Sequence, residues 1–507
     1  MNGYRIAGRV LDAITGQPLQ RVTVSVLTDE YSHMVATIAT DAEGIFSLDH
    51  IPQGKYPLSA ARRGYRTSFY DEHDSYNSAI VTGPDQDTSH LIFHLAPAAI
   101  LRGVVTDEGG DPVEGARVML FRRPTSATAG GRMEQAGMSD SDDTGAYEFN
   151  NLQPGDYEIA VKADPWYAQH DSRLGPGGEQ SPLDVAYPIT YYDSTIDEGS
   201  ATALTLTAGS REEANINLHA VPAIHIRIPV THSGGAGQTY LTADQKIFGN
   251  IVNSERMQAG DASQQYVEFT GIAPGAYDLE YGDPPHRITV NAAANLDVNP
   301  NSGTPTLSVG GKLVMAGGGP VAEGVNLSLT NPEEGLQPSQ TFAGGDQFEF
   351  KSVLPGTWTV GATNGKGTLA VVATSSGGVV TAGDKIVVRD RPVSVTVTLS
   401  AAQAHIQGFA RVNGKGFSGA LILLVPKDPG LWPTLMRIDQ SDSDGSFNLR
   451  DVATGQYTVI AIQDGWKLDY QNREVIAPYL RSGVQVTVND QSGVVISLAQ
   501  PVQAVAR

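Results

Sequence analysis

The feature of this sequence that most constrains its fold is a short segment that recurs five times. Each copy has a hydrophobic strand, a Pro/Gly turn and then a glycine, any residue and an aromatic residue. The copies are TDAEGIFSLDHIPQGKY from Thr40, SDDTGAYEFNNLQPGDY from Ser141, QQYVEFTGIAPGAY from Gln264, GGDQFEFKSVLPGTW from Gly344 and SDSDGSFNLRDVATGQY from Ser441. The turn glycines of successive copies lie 101, 120, 81 and 99 residues apart, at Gly54, Gly155, Gly275, Gly356 and Gly455. Because this is the spacing of single domains, the sequence predicts five of them in tandem.

The fold class follows from the alternation of apolar and polar residues within each repeat. Val22, Val24 and Val26 alternate with Thr23 and Ser25, which is the period of a strand with one buried face. About seven short strands per repeat, separated by Gly/Pro turns, predict an all-β chain. We therefore expect a tandem array of five small Ig-like β-sandwich domains, at residues 1–98, 99–222, 223–303, 304–403 and 404–507. The second has a long aromatic-rich insertion and the third is the most degenerate copy. The joints are too short to be flexible tethers, so we expect a semi-rigid rod that is bent or compact according to contacts between domains that the sequence does not show.

Charge and residue usage exclude several classes of function. The 34 basic and 55 acidic residues give a net charge of −21, and such a surface repels phosphate backbones, so no nucleic-acid partner is expected. Cysteine is absent, which removes disulfides, thiolate metal sites and cysteine nucleophiles. The sequence has no run of 18 apolar residues, so no membrane-spanning helix is predicted. It begins directly on a strand, without the pattern of a signal peptide.

We expect no enzymatic activity and no catalytic residues. A zinc peptidase of the metallocarboxypeptidase type needs a His and a Glu three residues apart plus a distant His. None of the eleven histidines is followed by Glu at that distance, and HExxH is absent. The GxSxG motif that positions a nucleophilic serine is also missing.

Calcium is the one cofactor that the sequence brings into consideration. The turns DDTG from Asp142 and DSDG from Asp442 place carboxylates close together, and the second includes Asp444. Carboxylate oxygens in a tight turn can bind Ca²⁺, but neither turn has the bidentate Glu that completes an EF-hand loop. Because the same residues suit an ordinary hairpin turn, we favour the turn and keep calcium as the alternative.

Aromatic residues in the loops after the glycine-x-aromatic strand are candidates for ligand binding. Flat rings beside Asp, Asn and Gln could stack on sugar faces. Tyr65, Trp166 and Trp466 fall at equivalent positions of their repeats, which instead favours rings that cap the core of their own domain. The candidate ligand-binding residues are Trp166, Tyr167, Tyr191, Tyr192, Trp466 and Tyr470.

The aromatic residues of the turn itself are assigned a structural role. They are Tyr56, Tyr157, Tyr277, Trp358 and Tyr457. Their position is similar to that of the tyrosine that pins a corner in other sandwiches.

The motifs GRVLDAITGQPL from Gly8, TDAEGIFSLDHIPQGKY from Thr40 and the closing HLAPA from His94 resemble those of the carboxypeptidase regulatory-like domain family. The resemblance is strong over the first, second and fifth domains, fair over the fourth and weak over the third. It implies a prealbumin-like sandwich, grouped with carbohydrate-binding-like folds. Segments such as YPITYYDSTIDEGS from Tyr187 resemble exported multi-domain proteins of soil bacteria, which implies an exported chain at the cell surface, in the periplasm or outside the cell.

Three hypotheses of function follow. The first is a non-enzymatic protein of the cell surface or extracellular space, with an interaction or structural role. It could associate with itself or with a protein partner by strand addition. The second is polysaccharide binding through the aromatic loops of domains 1, 2 or 5. The third is an accessory role for a separate peptidase or outer-membrane receptor, which depends on analogy of fold alone.

Overall fold

A computed structural model describes residues 3–28, 33–124, 133–170, 181–229, 240–258, 265–282, 286–299, 302–321, 323–331, 339–365, 367–400, 403–432, 434–489 and 493–507. The regular secondary structure of the described residues is almost entirely strand, as the sequence predicts. They form five separate apolar cores, each drawn from one repeat. The chain is therefore a tandem array of β-sandwich domains, here numbered 1 to 5. The boundaries between the domains stay predictions.

Domain 1 has two main sheets, in the strand orders β4-β1-β9 and β3-β2-β6-β7, and a short β5-β8 pair. Its strands are β1 Tyr4–Asp12, β2 Thr23–Leu27, β3 Met34–Ala39, β4 Ile45–Ile51, β5 Gly54–Tyr56, β6 Leu58–Ala61, β7 Ser68–Phe69, β8 Ile80–Thr82 and β9 Leu91–Leu95.

Domain 2 repeats this arrangement with an insertion after its fifth strand. Its strands are β10 Ala99–Thr106, β11 Arg117–Arg122, β12 Glu134–Asp140, β13 Ala146–Leu152, β14 Gly155–Lys162, β15 Val185–Ala186, β16 Thr190–Tyr191, β17 Leu204–Leu206, β18 Arg211–Glu213, β19 Ile216–Asn217 and β20 Val221–Pro222, with a 3-10 turn at Glu198–Ser200.

Domain 3 is the smallest sandwich. Its strands are β21 Ile224–Pro229, β22 Tyr240–Ile247, β23 Asn250–Gln258, β24 Tyr266–Ile272, β25 Gly275–Tyr281, β26 His286–Ala292 and β27 Leu296–Asp297.

In domain 4 one strand, β34, hydrogen-bonds to strands of both layers. The strands are β28 Thr304–Pro305, β29 Leu307–Met315, β30 Asn326–Thr330, β31 Ser339–Phe342, β32 Gln347–Val353, β33 Gly356–Asn364, β34 Gly367–Ser376, β35 Val379–Ala382, β36 Lys385–Val388 and β37 Val393–Ser400.

In domain 5 the last strand joins the two layers. The strands are β38 Ala404–Val412, β39 Lys415–Gly416, β40 Leu421–Pro426, β41 Arg437–Gln440, β42 Ser446–Val452, β43 Gly455–Gln463, β44 Val484–Val488, β45 Val495–Ser497 and β46 Val502–Ala506. One short helix, α1 Arg473–Ile476, and 3-10 turns at Pro429–Leu431, Gly465–Lys467 and Ala477–Ser482 lie between them. No helix in the described ranges is long and apolar enough to cross a membrane.

The five domains share one arrangement around their first strand. That strand pairs antiparallel with the strand before the Pro/Gly turn and parallel with the closing strand. Each first strand also has an irregularity near its start, between Tyr4 and Ile6, Ala99 and Leu101, Ile224 and Ile226, Leu307 and Val309, and Ala404 and Ile406. A bulge of this kind bends a strand at a fixed point, so the five repeats share three-dimensional detail as well as sequence.

The glycine of the opening GxV motif is required by the closing strand. A Cβ atom on Gly103 would lie 1.9 Å from the carbonyl oxygen of Ala214, and one on Gly311 would lie 1.7 Å from that of Val395. Only glycine allows two backbones to approach this closely. Domain 3 has Ile228 at the matching position, and its closing strand pairs with Ile226 and Arg227 instead.

Neighbouring domains are held by specific contacts. The hairpin tip between β22 and β23 carries Phe248, whose ring packs against Phe121 and Tyr191 of domain 2 at centroid distances of 5.2 and 5.3 Å. At the same junction the buried Asp184 of domain 2 contacts His225 of domain 3, with 2.7 Å between Oδ2 and Nε2. Domain 2 and domain 3 therefore share an interface that is partly apolar and partly hydrogen-bonded.

The third and fourth joints are also bridged, and domain 5 meets domain 1. Strand β28 pairs with β26 across the third joint, and Thr434 Oγ1 of domain 5 donates to Asp384 Oδ2 of domain 4 at 2.8 Å. Domain 5 also contacts domain 1, through Lys55 and Asp442 among others. Domain 5 therefore returns to domain 1, because side chains far apart in sequence bind each other. This is the compact arrangement, which the sequence leaves open beside the bent one.

Candidate functional site

The contact between the first and last domains is built on the Asp-containing turn of domain 5. This turn, residues 441–445, lies against the backbone of two residues of domain 1. They are Ala79, which directly precedes β8, and Val81, which is within β8. Asp442 Oδ1 accepts a hydrogen bond from the Ala79 N–H at 3.0 Å, and the Ser443 N–H donates to the Ala79 carbonyl at 3.0 Å. Ser443 Oγ accepts from the Val81 N–H at 2.8 Å. The turn thus satisfies backbone groups of another domain as a neighbouring strand would.

An ion pair reinforces this contact. Lys55 Nζ of β5 donates to Asp442 Oδ2 and to Ser446 Oγ, both at 2.7 Å. The Lys55 side chain is 35% exposed and that of Asp442 13%. Burial raises the pKa of Asp442, and the Lys55 ammonium opposes that rise. The carboxylate turn therefore binds a cation, the ammonium of another domain, while Ca²⁺ binding stays the untested alternative to an ordinary turn.

The same turn has a different role in the first two repeats. In domain 1 Asp41 Oδ1, and in domain 2 Asp142 Oδ1, accept backbone N–H groups two and four residues later, at 2.7 to 3.1 Å. These aspartates cap their own turns, as the sequence favours. In domain 5 the cap is Asp444, whose Oδ1 accepts the Ser446 N–H at 2.9 Å. This exchange leaves Asp442 available to bind domain 1.

A buried glutamine supplies the second part of the contact. Gln440, at the end of β41, is 1% exposed. Its Nε2 donates to Ser78 Oγ at 2.9 Å and to the Asp71 carbonyl at 2.5 Å, and its Oε1 lies 3.0 Å from His73 Nδ1. Ser78 Oγ in turn donates to the Ser441 carbonyl at 2.9 Å. Burying a polar group costs free energy unless it is hydrogen-bonded, so this network specifies how the two domains dock.

Aromatic rings close the edge of the docked surface. The Trp466 ring stacks on His73 of domain 1, with 5.5 Å between centroids and 8° between planes, and Tyr76 lies 5.4 Å away. Tyr470 packs edge-on against Trp466 and donates its hydroxyl to Asp74 Oδ2 at 2.9 Å. Burial and this carboxylate raise the pKa of Tyr470. Two of the predicted ligand-binding residues therefore lie at the junction of domains 1 and 5.

A cavity of about 880 Å³ opens beside these rings. Domain 1 lines it with residues 74–76, domain 5 with residues 466–471, and domain 2 with Arg122, Arg123 and Glu134 among others. Its volume lies in the range of roughly 300 to 1,000 Å³ that is typical of ligand pockets. The junction is therefore the place where this fold brings residues of three domains to one concave surface.

The other predicted ligand-binding residues lie apart from this cavity. Trp166 is 90% exposed, so it does not cap the core of domain 2, although Tyr65 packs against the core of domain 1. Tyr167 donates to Glu108 at 2.6 Å, which raises the pKa of Tyr167 to about 12. Tyr191 is buried against domain 3 and Tyr192 packs against the core of domain 2.

Sequence reasoning did not identify the residues of domain 1 that receive domain 5. Ala79 and Val81 act through their backbones, and a backbone contact leaves no residue signature. Lys55 does leave one: the middle residue of its glycine-x-aromatic motif is Asp156, Ala276, Thr357 and Gln456 in the other four repeats. Lysine at this position in a single repeat was therefore the one sequence feature that could have indicated the contact.

We expect stability to depend on pH through Asp439, which precedes the docked Gln440. Its carboxylate accepts the N–H groups of Gln440 and Asn448 at 2.8 and 2.7 Å. Burial, with the charge of Asp442, raises the pKa of Asp439 to about 7. The folded state therefore keeps the Asp439 proton up to about pH 7, whereas the unfolded state releases it near pH 4. The stabilisation that the protonated Asp439 gives the folded state is complete below pH 4 and is lost as the pH rises through 7.

Comparing the wild type with Asp439→Asn isolates this effect from other titrating groups. Between about pH 5 and pH 8, the wild type should lose on the order of 1 to 2 kcal/mol of unfolding free energy relative to the variant, after allowance for partial exposure. Hydrogen exchange of β41 and β42 in the full chain measures it. A difference between the two proteins that does not change with pH would contradict the assignment.

The architecture places the chain in the class of tandem β-sandwich proteins. Residues 5–95 and 100–219 each match the carboxypeptidase regulatory-like domain family. Domains 1 and 2 therefore belong to that family, as their motifs indicated.

Comparison with known proteins adds distant similarities. Colossin-A of Dictyostelium discoideum is 22% identical over 391 residues, which cover 69% of this chain and 3% of that protein. The chain thus spans a very small part of this relative. Among solved structures, a streptococcal ancillary pilin is 13% identical, covering 59% of this chain and all of the pilin, with a TM-score of 0.21. The Bacillus anthracis TIE protein is 9% identical, covering 96% of this chain and 68% of that protein, with a TM-score of 0.16.

Proposed function

We propose that the chain is a non-enzymatic, exported interaction and structural protein that associates with itself through an open sheet edge of domain 1. The observation that carries this proposal is strand β3. It pairs with β2 on one side, has no charged residue, and exposes Met34, Val35 and Ile38 by 61%, 38% and 38%. An exposed, uncharged edge strand is a template for pairing with another strand.

The equivalent edges of domains 2 and 5 are protected. Strand β12 of domain 2 begins with Glu134 and ends with Asp140, and charges on an edge oppose pairing. Strand β41 of domain 5 ends at Gln440, which is buried against domain 1. Of the edge strands β3, β12 and β41, β3 is the one that has neither a charged residue nor a residue buried against another domain.

A second copy of the chain is the partner that fits this edge. Two β3 strands can pair antiparallel about a twofold axis, which brings the same residues of each copy together and closes the assembly. Because each chain has a net charge of −21, general repulsion favours contact through an uncharged patch. Such pairing would join two four-stranded sheets into one.

The test is light scattering with electron microscopy on the purified chain over a range of concentrations. We expect the particle mass to rise with concentration for the wild type and to stay that of a monomer for Ile38→Lys, which places a charge on the edge. Met138→Lys is the matched control, because Met138 is 57% exposed on β12, and it should behave as the wild type. A wild-type monomer at all concentrations would contradict the proposal.

The exported location and the accessory role stay predictions from the family resemblance. An accessory role predicts a neighbouring gene for a peptidase or an outer-membrane receptor, and a chain that is inert alone. Two observations test export. One is a signal sequence in the full gene product, and the other is recovery of the protein from the cell envelope.

A further inference from the structure

The cavity at the junction of domains 1, 2 and 5 offers hydrogen-bonding groups that the fold does not use. The Tyr76 hydroxyl, the Lys467 ammonium and the Gln471 side-chain amide line it. Within the described parts of the chain, none of these three groups hydrogen-bonds to another residue. Polar groups that converge on a concave surface without internal partners are what fixes the orientation of a ligand.

The charges around the cavity are balanced. Arg122, Arg123 and Lys467 line it together with Asp74, Glu134 and Asp469. Three positive and three negative side chains favour neither a strongly acidic nor a strongly basic ligand. They do provide both donors and acceptors, and the guanidinium and carboxylate groups can each form paired hydrogen bonds.

The aromatic rings supply the apolar part of the surface. Tyr76, Trp466 and Tyr470 line the same cavity, and their rings are held in place by one another and by His73. Rigid rings beside donors and acceptors match a molecule whose faces are apolar and whose rim carries hydroxyls.

We propose that this junction binds a neutral oligosaccharide. The ring faces of the sugar contact the aromatic side chains, and its hydroxyls bond to Tyr76, Gln471 and the charged side chains of the lining. The site belongs to the assembled array, because three domains contribute its walls, and it does not depend on the proposed self-association.

Closure of the array and binding are therefore coupled. A ligand that contacts domains 1 and 5 together binds the docked state better than an opened one, so it stabilises docking by the same factor. Asp442 holds the two domains together and is not among the cavity-lining residues. Its replacement should weaken binding without removing any ligand contact.

The test measures binding of the full chain to short neutral fragments of glucan, xylan and mannan by calorimetry. We expect one of these to bind, with about a five- to tenfold loss of affinity for Tyr76→Phe, which removes one hydroxyl and keeps the ring. Gln471→Ala should show a similar loss. Trp166→Ala is the matched control, because this exposed ring of domain 2 lies away from the cavity, and it should bind as the wild type.

Three results would overturn the proposal. One is that no neutral fragment binds. Another is that Trp166→Ala abolishes binding while Tyr76→Phe and Gln471→Ala do not, which would move the site to the surface of domain 2. The third is that acidic oligosaccharides or peptides bind and neutral sugars do not, which would assign the cavity to another class of ligand. Circular dichroism confirms that each variant is folded.

Discussion

Replacement of Asp442 by Ala should separate domain 5 from domain 1 and extend the protein. The variant loses the bond to the Ala79 N–H and leaves Lys55 without its carboxylate. Breaking a fully buried ion pair costs roughly 3 to 5 kcal/mol. Because Lys55 is 35% exposed, water partly replaces the lost partner and about 2 kcal/mol is the expected loss. Small-angle scattering should show a larger radius of gyration for the variant.

The second repeat provides a matched control for this experiment. Asp142 occupies the position of Asp442 in its own repeat but caps only its own turn. Asp142→Ala should therefore leave the scattering profile unchanged and destabilise domain 2 only through the loss of a local cap. Equal profiles for the wild type and Asp442→Ala would show that the turn does not hold the array closed.

Docking through this turn has a consequence for salt. The network around Gln440 is buried and is formed mainly by amide, hydroxyl and backbone groups, whereas the Lys55 contact is an ion pair that is partly exposed. Salt screens the second contact much more than the first. The closed array should therefore loosen only slightly at high salt, while the Asp442→Ala variant should show no such dependence.

The repeat was enough to predict the sandwich domains, because the residues that specify each sandwich are close together in sequence. The turn aromatics are a clear case. Tyr157, Tyr277 and Tyr457 each donate a hydroxyl to the carbonyl four residues earlier, at 2.6 to 2.9 Å, and Trp358 does so through its ring N–H. The structural role predicted for these residues is confirmed.

The junction could not be predicted in this way. Its partners, such as Lys55 and Asp442, lie 387 residues apart, and pairing across that distance leaves no periodic pattern in one sequence. The aromatic loops illustrate both outcomes. Trp466 and Trp166 fill the same position of their repeats, yet the first is packed between two domains and the second is 90% exposed. Local sequence determined the loop, while the neighbouring domain determined whether its ring is covered.

Replacement of Tyr157 by Ala should be the most destabilising single change within a domain. The ring is 2% exposed in the core of domain 2, and loss of a buried aromatic side chain costs about 3 to 5 kcal/mol. Tyr157→Phe keeps the ring and leaves the Gln153 carbonyl without its donor, which costs about 1 to 2 kcal/mol. Because a five-domain chain does not unfold in one step, hydrogen exchange of β10 and β14 in the full chain is the appropriate measurement.

Domain 1 allows the two contributions to be separated. The Tyr56 hydroxyl makes no hydrogen bond to another described residue, and Thr82 Oγ1 donates to the Pro52 carbonyl instead, at 2.7 Å. Tyr56→Phe should therefore leave exchange in domain 1 nearly unchanged, while Thr82→Val should cost what Tyr157→Phe costs in domain 2, about 1 to 2 kcal/mol. If Tyr56→Phe and Tyr157→Phe were equally destabilising, the hydroxyl bond would not be the source of the corner's stability, and the ring packing shared by all five repeats would have to account for it.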